Sequence, residues 1–373
     1  MRRFLGNVPP RARDFLCVFI CASAWCRPPG PAPATNSPMI VLDSHEDVIG
    51  RVLDDGDDLA VDHKNDQSNF AKWRAGGVNV VWFSLWVDPQ EHEGSAAPVR
   101  VSQMIAALYR QVARHPDDLV VCDSASDCRA AVASGKIVAL LGIEGGVAIN
   151  NDLKLIEGYR QAHVRYMTLT WRGNLDWAGS SQTSHKQMGL TTFGRDVVRE
   201  MNRVGMIVDL SHTSDMTFYD ALAVTSKPVI LSHSNCRALA DHPRNVTDDM
   251  LRALKKNGGV VGLDFYRDFL LPERKEFSVA IETTPTLEIV LDQIDHAVKV
   301  AGIEHVGIGS DFEGDIEPAV GLESAARIAD LIQGLRRRGY PESEVRKIAG
   351  ENFMRVIGAN DNQTSSAQTA DGP

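Results

Sequence analysis

A short apolar run that ends in polar residues, followed by a longer helical pattern, recurs eight times along this chain. The runs are Met39-Ile-Val-Leu42, Val78-Asn-Val-Val-Trp-Phe83, Ile137-Val-Ala-Leu-Leu141, Val164-Arg-Tyr-Met-Thr-Leu169, Met206-Ile-Val-Asp-Leu210, Pro228-Val-Ile-Leu231, Val260-Val-Gly-Leu263 and Val306-Gly-Ile308. Helical patterns fill the intervals, among them 101–113, 152–162, 192–204 and 287–301, and several stop near a glycine suited to a C-cap. Near-continuous apolar strands alternating with helices pair in parallel, with both faces covered. Eight such units imply an α/β fold of the (β/α)8, TIM-like barrel type. An open doubly wound sheet is the alternative, but no Gly-rich dinucleotide fingerprint follows the first strand.

In a barrel the C-terminal ends of the strands converge on one face, where these folds carry their active sites. Those ends supply His45 and Asp47, Glu144, Trp171, His212, His233 and Asp311. His45 and Asp47, two residues apart, project to the same side of a strand, with Glu46 pointing away. Each residue taken singly is unremarked polar chemistry: His212 and His233 would pass for core histidines, Glu144 for a loop carboxylate. Three of the eleven histidines at strand ends, beside three carboxylates in equivalent places, point to a metal centre. His45, Asp47, Glu144, His212 and His233 are more ligands than one catalytic zinc takes while keeping an open position. A bridging Glu144 resolves the excess, with His45 and Asp47 completing one site and His212 and His233 the other. Imidazole and carboxylate favour Zn2+ over Mn2+, Co2+ or Fe2+ without excluding them. Ser211 and Ser232 lie beside the histidines, but neither sits in a Gly-x-Ser-x-Gly elbow. Trp82, Ser84, Trp86 and Asp88 are given no catalytic role, while Asp264 and Tyr266 fall on the active face after strand seven.

The net charge of −10 argues against nucleic acid or an anionic membrane as the main partner and favours a small-molecule enzyme. The six cysteines form no C-x-x-C pair, so the metal must be held by His and carboxylates. Residues 1–38 combine early arginines, a short apolar run and a Pro-rich stretch, like a signal peptide with an Ala22-Ser-Ala24 cleavage site. The competing reading starts translation at Met39 and treats 1–38 as an extension. The first implies export, the second a cytoplasmic protein; the apolar run is too short to span a bilayer on either. The barrel domain is expected over 39–358 and a polar, disordered tail over 359–373.

Several spaced motifs carry a resemblance: Asp43-Ser-His-Glu-Asp47, Gly142-Ile-Glu-Gly-Gly146, Asp209-Leu-Ser-His212, Ser232-His-Ser-Asn235, Pro243-Arg-Asn-Val246 and Gly307-Ile-Gly-Ser-Asp-Phe-Glu-Gly314. In this order they resemble the membrane dipeptidase (renal dipeptidase) family of zinc peptidases, family M19, over roughly 39–358. The resemblance implies a binuclear zinc barrel that hydrolyses dipeptides, including those with a C-terminal D-residue, through a metal-bridging hydroxide. It further implies a homodimer. By motif match His45 and Asp47 would bind one zinc, Glu144 would bridge, and His212 and His233 would bind the other. Asp311 would be the acid/base and contact substrate, and Arg244 would hold the substrate's terminal carboxylate, a task suited to a guanidinium fork. One departure stands out. Where animal members carry a His on strand four, this chain has Trp171, whose indole donates one hydrogen bond but takes no proton. Trp171 is read as shaping the substrate pocket. The runner-up is a related metal-dependent amidohydrolase acting on a non-dipeptide amide or lactone; such barrels commonly carry His-x-His on strand one and a strand-four Lys, which this chain lacks.

Overall fold

The computed structural model describes residues 38–182, 188–271 and 284–361. The expected signal-like segment lies outside the described residues, as does the expected tail beyond Asp361. Eight parallel strands close a barrel: β1 (Leu42–Glu46), β2 (Val80–Trp86), β4 (Ile137–Glu144), β5 (Val164–Thr168), β6 (Ile207–Asp209), β7 (Ile230–Leu231), β8 (Val260–Leu263) and β9 (Val306–Ile308), with β9 pairing back to β1. These are the eight runs of the sequence reading. The ninth strand, β3 (Leu119–Val121), had no counterpart there. It pairs with Ile137–Ala139 of β4, on the side where β5 takes over from Leu141. Three residues running straight into Cys122-Asp123-Ser124 leave too short an apolar signal to separate from a loop.

Alternation along the strands builds two cores. Inward residues Leu42, Val80, Trp82, Val138, Leu140, Tyr166, Ile207, Ile230 and Val260 form the barrel interior with Phe353 and Ile357 of the last helix, α13 (Asn352–Asn360). Outward residues such as Val41, Val81, Phe83, Leu141, Met167 and Val208 pack against the surrounding helices. Those helices have the ends their sequences dictate. Thr191 caps α6 (Thr192–Val204) by accepting from Gly194 N, and Gly205 in the left-handed region ends it. The last helix enters the segment expected as tail by two residues. Asn360 is fully buried there and donates to Pro228 O (3.0 Å), while Asp361 accepts from buried Arg165 (2.8 Å). Among the described residues no helix is long and apolar enough to cross a membrane.

Strand β1 runs four residues past the apolar stretch that announces it, because its polar side chains are matched. Ser44 Oγ donates to Ser232 O (2.5 Å) or Ile308 O (2.7 Å), and Ser310 N donates to Asp43 Oδ1 (2.9 Å). Ser44 fits inside the barrel because Gly262 and Gly309 line its place; a Cβ at either would come within 2.8 Å of its Oγ. A bulge between Asp43 and Glu46 then shifts the register against β2 by one residue. Strict alternation from Leu42 and Ser44 would send His45 outward; the bulge reverses that parity. Glu46 points outward as expected and accepts from Trp73 Nε1 (3.0 Å), on α2 (Phe70–Gly76).

Candidate metal centre

The top layer of the barrel interior is polar. Glu144 ends β4 on the inward parity of Val138 and Leu140, and its two oxygens face different partners. Oε2 lies 3.5 Å from His45 Nε2, while Oε1 lies 2.9 Å from His212 Nε2 and 3.6 Å from His233 Nε2. His45 Nε2 is also 3.5 Å from Asp47 Oδ2 and 3.8 Å from Asp311 Oδ1. The five ligands expected from sequence are thus brought together, with Asp311 beside them. Two overlapping sets, His45 with Glu144 and His233, and His45 with Asp47 and Asp311, each place their ligand atoms within 4.8 Å of one another. His45 is therefore shared between the sets rather than confined to one half of the site.

These residues fit metal ions. Ligand atoms around a tetrahedral zinc, at bond lengths of roughly 2.0–2.2 Å, stand about 3.4 Å apart, close to the spacings here. His45 Nε2 and Asp47 Oδ1 are buried without a hydrogen-bond partner, a costly state that a cation removes. Nε2 of His212 and Nε2 of His233 approach to 2.9 Å, which two lone pairs tolerate only with a cation or proton between them. Protonation tells the same story. Burial and Asp264 push the Asp311 carboxyl well above the carboxylate range. Burial pulls the His45 imidazole down, yet Tyr166, Glu144 and Asp47 outweigh it and raise His45 well above its ordinary value. The pocket has surplus negative charge that draws in protons and would equally draw in cations. Burial and Arg244 bring His212 down to about 3, and burial with His45 lowers His233 well below its usual value, so both rings are neutral, as ligands must be.

A second layer of contacts aims the ligands. His45 Nδ1 meets Tyr166 Oη at 2.8 Å, which leaves Nε2 to face the carboxylates. The Tyr166 ring lies over Gly142, where an added Cβ would sit 2.1 Å from Cζ. Asp209, inward on β6, accepts from Thr168 Oγ1 (2.5 Å), Ser232 Oγ (2.6 Å), Ser232 N (2.9 Å) and Ser211 N (3.1 Å). Because the Ser232 hydroxyl proton goes to Asp209, its oxygen accepts from His233 Nδ1 (2.9 Å), and the Nε2 lone pair is turned into the site. His212 and Asp311 hold φ of 64° and 65°, left-handed values rare for non-glycine residues. Ser181 N bonded to His212 O (2.8 Å) and Asp311 N bonded to His45 O (3.1 Å) hold those turns. Sequence reading missed Tyr166 and Asp209 in these roles, while Ser232 was read as packing or hydrogen bonding beside the ligands. The signal available was Asp209 itself, an acid at an inward position of a buried strand.

The cluster opens into a cavity of about 370 Å³. Trp171 lines it, in edge contact with Trp86 (centroids 5.0 Å) and 6.4 Å from the His212 ring. Trp86 therefore belongs to the pocket wall, a place compatible with the absence of a catalytic role read for it. Arg244 is buried behind His233, donating Nη2 to His233 O (3.0 Å) and standing 5.2 Å from the Phe269 ring centre. Its Nε has no partner. Asp264 is fully buried nearby, and burial raises its carboxyl to about 7.

Comparison with known proteins agrees with this geometry. The sequence pattern of the membrane dipeptidase family (peptidase family M19) matches residues 32–371. An uncharacterized dipeptidase of Schizosaccharomyces pombe is 37% identical over 302 residues, 78% of this chain and 71% of its own length. A metallo peptidase of Rhodobacter sphaeroides, solved with a phosphinate mimic of the dipeptide L-Ala-D-Ala, superposes with a TM-score of 0.77 at 26% identity, over 87% of this chain and 100% of that one. The probable dipeptidase PvdM of Pseudomonas aeruginosa shares the fold, with a TM-score of 0.79 at 22% identity over 86% of this chain and 95% of that one. With this match spanning the barrel and the inward cluster of imidazoles and carboxylates, the chain belongs to the membrane dipeptidase family, peptidase family M19, and is a hydrolase of the metallo-dipeptidase type.

Proposed function

We propose that this protein hydrolyses the peptide bond of dipeptides, including those with a C-terminal D-residue, with two zinc ions held by His45, Asp47, Glu144, His212 and His233. The observation that carries this reading is the division of Glu144, with one oxygen toward His45 and the other toward His212 and His233. Zinc held by these residues would supply Lewis acidity to polarise the scissile carbonyl and would lower the pKa of water to about 7, making hydroxide available at neutral pH. The acceptance of a D-residue is supported by the ligand of the Rhodobacter sphaeroides relative, a mimic of L-Ala-D-Ala.

The chain's own residues do the rest. Asp311, at the rim of the cluster 3.8 Å from His45 Nε2, takes a proton from the attacking water and returns it to the leaving amine. Arg244, buried behind His233 and not itself part of the cavity lining, is assigned the substrate's terminal carboxylate on the family resemblance. Tyr166, Asp209 and Ser232 keep His45 and His233 in the tautomers that face inward. Trp171 and Trp86 wall the opposite side and limit the size of substrate side chains.

The test is amino-acid release by the zinc-loaded protein from a panel of dipeptides differing in side chain and C-terminal chirality, against a chelated control. Metal-dependent release supports the proposal. No release from any member, with two zincs bound, refutes it.

A further inference from the structure

Three arginines line the cavity, and two of them are already engaged. Arg51 pairs with Asp57 (2.6 Å), Asp66 (3.6 Å) and Glu313 (3.5 Å), and Arg100 forms a two-pronged pair with Asp54 at 2.6 and 2.5 Å. Arg172 differs. It is exposed, and among the described residues no carboxylate pairs with it. Its guanidinium carbon lies 4.8 Å from the centre of the Trp171 ring, and its charge is felt by Tyr266 across the cavity mouth. Trp171 in turn is braced edge-on by Trp86. A guanidinium laid on an indole keeps its planar fork in a preferred orientation while its N–H groups remain free to bond. Such a fork, in a cavity whose charged lining is mostly acidic, matches a carboxylate bidentately and repels a cation.

We infer that Arg172, held on Trp171, is a carboxylate-recognising subsite that selects dipeptides carrying an acidic side chain. This rests on the peptidase reading above and deepens it. The carboxylate comes from a side chain rather than the main-chain terminus because the terminal group is assigned to Arg244. With Asp47 and Glu144 assigned to the metals and Arg51 and Arg100 already paired with carboxylates, Arg172 is the lining guanidinium left to meet an acidic substrate side chain.

The experiment compares kcat/KM of the metal-loaded enzyme for charged and amide pairs of nearly identical shape: Ala-Asp against Ala-Asn and Asp-Ala against Asn-Ala, in both C-terminal chiralities. The inference predicts that at least one acidic member is preferred by roughly tenfold over its amide, the size of one charge-assisted contact at an open wall. Arg172→Met should bring that ratio to near one, and Arg172→Glu should invert it in favour of Lys-containing dipeptides. If the wild type does not discriminate acid from amide, the inference is overturned while the peptidase reading stands. The same holds if Arg172→Met lowers both members equally, the result expected were Arg172 a clamp for the main-chain carboxylate. Cleavage of no dipeptide overturns the peptidase reading and this inference with it. Thermal unfolding of each variant guards against misfolding, which an exposed side chain gives little reason to expect.

Discussion

Replacing Asp209 by Asn tests how the protein orients a metal ligand it does not touch. Asp209 accepts four hydrogen bonds, and the one from Ser232 Oγ (2.6 Å) sets the direction of the next, from His233 Nδ1 to Ser232 Oγ (2.9 Å). An Asn can keep its oxygen on the two backbone N–H groups, but its NH2 then faces the two hydroxyls. Ser232 must accept from it and so donates to His233 Nδ1, which moves the ring proton to Nε2, into the metal site. Loss of such an outer contact typically lowers metal affinity about 10–100-fold, or about 1.4–2.7 kcal/mol at 1.36 kcal/mol per tenfold. The assay is competition of the stripped protein with a chromophoric chelator for zinc, with Ser232→Ala as a companion that removes the relay outright. Both variants should bind one ion weakly while retaining a cooperative thermal transition. If Asp209→Asn, folded, binds two ions as tightly as the wild type, the tautomer argument is wrong.

Other perturbations have equally definite outcomes. Gly142→Ala would place a Cβ 2.1 Å from the Tyr166 ring, so the ring must move and His45 loses its partner; thermal unfolding should show a loss of about 1–3 kcal/mol or more, with zinc affinity falling in parallel. Asp311→Asn should lower kcat by about 10²–10⁴-fold while zinc content measured by mass spectrometry stays at the wild-type value, and unchanged turnover would remove Asp311 from the acid/base role. Chelation should lower the unfolding temperature, because the carboxylates around His45 are left facing one another without a cation; full restoration on adding zinc is expected, and a transition indifferent to chelator would argue against a metal in this cluster.

The barrel and its ligand cluster were legible because both follow from local pattern. Each strand is an apolar run with a polar end, and parallel closure sends those ends to one place, so His45, Glu144, His212 and His233 could be grouped without coordinates. What could not be read depends on contacts distant in sequence. The bulge in β1 is a matter of register against β2, and nothing in Leu42-Asp-Ser-His-Glu46 announces that parity reverses before His45. Tyr166 reads as one more strand aromatic, and its hydroxyl becomes meaningful only when Gly142, 24 positions earlier in the chain, lets the ring cross the barrel toward His45. Arg172 sits in a loop whose pattern carries no period at all, and its place over Trp171 emerges only once the cavity is formed.

The most direct test of a binuclear metallo-dipeptidase is to titrate zinc into chelator-stripped protein while following hydrolysis of L-Ala-D-Ala. Turnover should be absent without metal and should rise to a plateau at two ions per chain. Full turnover without metal, or a plateau at one ion with the second site never filling, would contradict the arrangement built around Glu144.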